Sequence, residues 1–206
     1  MTARMMFTSA AHAFTDLVQR IPADRWDGPG LGVWSVRSLV GHTSSVLRDV
    51  AHRLDEPANS EDITSAAGYY ALARTIDQSI YEQLVAASTA VAVEDGVALG
   101  GEPSATVDRL VSQALAKIDR AADADLVTSA AGGMRLDNFL QTRTFELVVH
   151  SLDIASAVGI DHGVAGEVLG EACTLAARIA ALTGEGVVVL RALTGRGDLG
   201  HAFSVV

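Results

Sequence analysis

Glu146 and His150 stand four residues apart in a stretch, Leu136 to Val158, that contains neither Gly nor Pro. At about 100° per residue their side chains lie about 40° apart around a helix and one turn apart along it. A carboxylate and an imidazole so placed suit two ligands of one metal ion. An arbitrary Glu-x-x-x-His pair more often belongs to a solvated face, but here core-type residues flank it on both sides. Phe145, Val148, Val149 and Leu152 form one apolar seam, and Leu140, Leu147 and Ile154 form another. Asp137, Thr144 and Ser151, at seven-residue steps, are expected to supply the solvent face instead.

A third donor comes from another segment. His42 has Leu39 and Val46 at i−3 and i+4 and borders the apolar arc of Val36, Val40, Leu47, Val50 and Leu54, which turns it inward. Two imidazoles and a carboxylate leave a coordination position open, the pattern of catalytic zinc or a related divalent metal. His52 falls on the side of Arg37, Gly41 and Arg48, read as a solvated face, and His12, His162 and His201 have no partner at ligand spacing. The single cysteine, Cys173, excludes an internal disulfide and a cysteine-based structural zinc site. It sits in the Ala-rich stretch Leu169 to Leu182, where a small buried apolar role is expected. Thiol chemistry would then require an outside thiol.

The elements that must hold these residues read as helices, since Ala, Leu and Val dominate and Pro is scarce. The pattern predicts a first helix over Thr2 to Arg20, ended by Pro22, and a loop anchored by Trp26 and Trp34. Ser35 caps a second helix running to about Asp55. A third is expected from Ile63 to Val91 with a break near Gly68, and a fourth from Ser104 to Ala122. Gly132 and Gly133 lead into a fifth over Leu136 to Val158, and a sixth ends near Thr183. Val187 to Leu190, β-branched or apolar in sequence, suggests a short strand or extended clip. The expectation is one domain over residues 1–206. The charge of −10, from 25 acidic and 15 basic residues without a basic cluster, argues against nucleic acid. Apolar runs are too short for a membrane span, and no basic segment followed by an apolar block opens the chain, so it reads as cytoplasmic.

Trp34-Ser35-Val36-Arg37-Ser38-Leu39-Val40-Gly41-His42 resembles the Trp-Ser-x-x-x-Leu-x-x-His signature of the DinB-like, mycothiol-dependent maleylpyruvate isomerase family. The stretch from Arg143 to Ala155 is similar to that family's Arg-x-x-Glu-x-x-x-His-x-x-Asp-x-Ala segment, and Leu193-Thr194-Gly195-Arg196 to its Leu-Thr-Gly-Arg tail. The resemblance implies an all-α, DinB-like four-helix bundle, here with additional short helices and the short C-terminal extended segment. It also implies a divalent metal, usually zinc, held by His42, Glu146 and His150, although such donors accept nickel or iron as well. Mycothiol would be the missing thiol. In the family reaction its metal-activated thiolate adds to an activated double bond, the single bond rotates, and elimination gives the other isomer; related members transfer the thiol to electrophiles. Arg74 is similar in placement to an arginine that orients anionic substrate, with a plain surface arginine as the other reading. Asp153 could receive a ring N–H of His150 or be a helix-face carboxylate. The partners so implied are a small-molecule thiol and an electrophilic substrate, with a homodimer left open. The alternatives are a non-catalytic metal-binding protein and a thiol-independent metal-assisted hydrolase.

Overall fold

Hydroxyl side chains start the first three helices. Thr2 caps α1 (Ala3–Gln19), Ser35 caps α2 (Val36–Arg53) and Ser65 caps α3 (Ala66–Ala73), each accepting a backbone N–H from three residues on. The structure, a computed structural model, describes residues 1–201 and 203–206, with Gln78 and Tyr81 described by their backbone alone. The chain continues through α4 (Gln78–Ala98), α5 (Pro103–Ile118), a hairpin of β1 (Leu126–Ser129) and β2 (Gly132–Arg135), α6 (Leu136–Val158), α7 (Gly166–Leu182) and α8 (Gly186–Leu193).

Four helices close a bundle in which α1 packs on α6, α6 on α2, α2 on α5 and α5 on α1. Phe7, Phe14, Leu39, Leu47, Phe139 and Leu147 fill its centre and are sealed from solvent. Apart from one short hairpin the described residues are all-α, as the residue pattern suggests. Because α3 and α7 also pack on α6, that helix is buried on more sides than two apolar seams require. Thr144 and Ser151, expected to face solvent, are buried. The Thr144 hydroxyl meets its hydrogen-bonding need locally, by donating to the Leu140 carbonyl at 2.8 Å.

Several other expectations are corrected. The break in the third helical segment falls after Ala73, where Asp77 caps α4, and Gly68 lies inside α3. Residues 187–190 lie in helix α8, docked on α7, so no extended clip forms there. Cys173 is exposed on α7. The two glycines before α6 belong to β2, whose strands are too short for alternation to reveal them. That hairpin matters for position: Asp62 accepts the Gly133 N–H at 2.8 Å and donates its own N–H to the Gly133 carbonyl at 2.8 Å. The loop is thereby pinned three residues before the cap of α3. Among the described residues no single helix is long and apolar enough to cross a membrane.

The Gly41 side of α2, read as solvated, is covered by α4. A Cβ on Gly41 would stand 2.3 Å from the Gly96 backbone nitrogen, and one on Gly96 would stand 3.0 Å from the Arg37 carbonyl oxygen. Arg48 and Asp95 pair across the same contact. His52, further along, is exposed as expected. Gly41→Ala is therefore expected to cost roughly 1–3 kcal/mol or more by overpacking against unyielding backbone. Gly170→Ala, with open space at its Cβ in α7, is expected to stabilise by roughly 0.5–1 kcal/mol. Denaturant unfolding of both variants checks the contrast, and equal effects would contradict the contact.

Candidate metal centre

His42 projects from the second turn of α2 and His150 from the fourth turn of α6, two helices in direct contact. Their rings meet edge to face with centroids 5.0 Å apart. Trp34, from the loop before α2, also meets the His42 ring, with centroids 4.6 Å apart. Glu146 Oε2 lies 3.5 Å from His150 Nε2, and the second ring nitrogen, Nδ1, is 3.2 Å from Asp153 Oδ2. The three sequence-predicted donors are thus neighbours, and Asp153 meets His150, one of the two readings left open for it.

The residues missed are those that neutralise and hold Glu146. Tyr70, in α3, donates its hydroxyl to Glu146 Oε1 at 2.6 Å. Arg143, one turn before Glu146, lies over the rings of Tyr69 and Phe139, and its Nη1 is 3.2 Å from Asp49 Oδ2 on α2. Asp49 also accepts from Arg53 at 2.9 Å. Arg143 stood in the quoted motif without a role. Tyr70 carried no spacing signal, because its partner lies 76 positions away. Arg74, by contrast, is exposed at the C-terminal cap of α3, with no hydrogen bond or ion pair joining it to the three donors.

Burial acts first on each titratable group. It would raise the carboxyl of Glu146, but the His150 ring, the Arg143 charge and the Tyr70 hydroxyl overcome it and hold Glu146 well below the usual carboxylate range. Burial likewise would lower His150, but Asp153 and Glu146 outweigh it and push the ring up to about 9. For His42, burial and the charge of His150 outweigh the charge of Glu146 and lower it to about 4, so one ring nitrogen keeps its lone pair available at neutral pH.

The donor types, two imidazoles and a carboxylate, are those that a divalent metal takes. Two imidazoles on a tetrahedral zinc, bonded at about 2.0–2.1 Å, have ring centres roughly 5 Å apart and donor atoms roughly 3.3 Å apart. Here the two rings are 5.0 Å apart, and His150 Nε2 and Glu146 Oε2 are 3.5 Å apart. Among the described residues no group of three or more His, Cys, Asp or Glu side chains is placed to hold a metal ion. A cavity bounded by Met6, Phe145 and Leu175 is lined by none of the three donors.

The profile described as the mycothiol maleylpyruvate isomerase N-terminal domain matches residues 7–155, well over half of the chain. The chain belongs to this family. The family match contains His42, Tyr70, Arg143, Glu146, His150 and Asp153 and leaves α7, α8 and the Leu193–Arg196 echo outside it. No curated protein and no solved structure matches the chain.

The two histidines should titrate far apart in metal-free protein. His150, raised in the fold, contributes stability that is complete below its unfolded value near 6.5 and lost as pH rises through about 9. His42, depressed, contributes stability present above about 6.5 and lost as pH falls through about 4. NMR titration of the ring protons is expected to give His150 as the basic ring and His42 as the acidic one. Two coincident titrations near 6.5 would contradict this electrostatic picture.

Proposed function

We propose that the protein is a metal-dependent enzyme that uses mycothiol for S-transfer to, or cis–trans isomerisation of, an electrophilic small molecule. The observation that carries this reading is the inward pair of imidazoles, 5.0 Å apart, with a carboxylate beside one of them. Family membership supplies the thiol as a candidate. Zinc fits the donor set first, with nickel or iron also accepted. A divalent cation at these donors would supply the positive charge that favours a deprotonated thiol near neutral pH.

The chain's own residues divide the remaining work. His42 offers a neutral ring, His150 is oriented by Asp153, and Glu146 contributes the negative charge that retains a cation. The exposed Cys173 lies on α7, outside the family match, so the reactive sulfur is assigned to the outside thiol. Arg74 is assigned to meeting an anionic group of the electrophile from the exposed end of α3.

Cobalt-substituted protein is expected to develop a sulfur-to-metal charge-transfer band when mycothiol is added. An unchanged spectrum at saturating mycothiol would overturn the thiol reading, and turnover that persists without any thiol would select metal-assisted hydrolysis. Arg74→Ala is expected to raise KM for an anionic electrophile several-fold, with metal content and kcat retained. An unchanged KM would remove Arg74 from substrate binding.

A further inference from the structure

Tyr70 is one of two adjacent aromatic residues that α3 lays against α6. Its side chain is buried, packs edge-on to Phe145 with ring centroids 5.4 Å apart, and ends at the carboxylate of Glu146. Two acceptors lie within reach of the one hydroxyl hydrogen: Glu146 Oε1 at 2.6 Å and the Thr142 carbonyl at 3.1 Å. The charged oxygen is the nearer, and a charge-assisted bond of this length outcompetes a neutral one. The Thr142 carbonyl can in any case accept the helical N–H four residues on, which is that of Glu146. The two carboxylate oxygens therefore face different partners, Oε1 toward Tyr70 and Oε2 toward His150.

We infer that Tyr70 is a positioning residue that occupies Glu146 Oε1 and so presents Oε2 alone to the metal, making Glu146 a single-oxygen ligand. The inference rests on the proposed metal reading of His42, Glu146 and His150. A carboxylate oxygen can only accept, so at 2.6 Å from Oε1 the Tyr70 hydroxyl is the donor. The carboxylate is thereby held in place before any ion arrives, and a cation does not have to compete for both oxygens. Tyr70 also ties the site to the loop at residues 56–64. The hairpin pins that loop through Asp62 and Gly133, and α3 follows directly.

The test is Tyr70→Phe, with Tyr69→Phe as the packing control, each measured by chelator competition for zinc and by infrared difference spectra of zinc-loaded minus metal-free protein. Tyr70→Phe is expected to weaken zinc about ten- to a hundredfold. It is also expected to narrow the splitting of the Glu146 carboxylate stretches as the second oxygen joins the metal. Tyr69→Phe should leave both readouts unchanged. A purely structural tyrosine would not change the carboxylate splitting. Equal affinity and equal spectra in the parent and Tyr70→Phe would overturn the assignment while leaving the metal site standing. No zinc binding by the parent would remove the metal reading itself. Should Tyr70→Phe not fold, the parent spectrum still decides, because two-oxygen coordination there contradicts the inference.

Discussion

A carboxylate in the middle of α6, its side chain 26 % exposed, sets the terms for its surroundings. Withdrawing an ion even partly from water costs free energy unless partners replace the lost solvation, and each hydrogen bond to a charged group returns about 1.5–3 kcal/mol. Glu146 has three nearby groups that favour its charge: the Tyr70 hydroxyl, the Arg143 guanidinium and the His150 ring. Each brings a further demand. Arg143 needs Asp49 from α2, Tyr70 needs α3 docked on α6, and His150 needs Asp153. Helix packing and site electrostatics are in this respect one problem.

The other constraint is steric and lies at the neighbouring donor. Gly41 immediately precedes His42, and its missing side chain lets α4 approach α2 at the Gly96 backbone. On the inward side the same turn presents His42 to Trp34 and His150. A change in the α2–α4 separation would rotate or shift the turn that carries the ring. The site is therefore supported from behind by a backbone contact and from the front by an aromatic one.

Helices whose apolar periodicity runs uninterrupted were legible in the sequence, as were the residues bound to them by spacing. α6 lies where the stretch without Gly or Pro lies, and Glu146, His150 and Asp153 share its face because three- and four-residue steps fix that geometry. His42 was found from its own helix alone, since the flanking Leu39 and Val46 orient it. Tyr70 could not be found in this way. Its bond to Glu146 depends on how α3 docks, which the hairpin and the loop before it determine and no local period encodes. Thr144 and Ser151 misled for a related reason: polar residues at heptad steps look like a solvent face until a third and fourth helix cover them. The tail misled through β-propensity, a weak preference that the docking of α8 on α7 overrides.

The central claim is that His42, Glu146 and His150 act together on one ion. Metal content after zinc loading and gel filtration, measured for the parent and for His42→Ala, Glu146→Gln and His150→Ala alongside their helical circular dichroism, tests it directly. The account predicts about one zinc per parent chain, loss of bound metal in both histidine variants, and weakened binding in Glu146→Gln, all with helical content retained, because apolar contacts between helices build the bundle. Full zinc occupancy in folded His42→Ala and His150→Ala would contradict it.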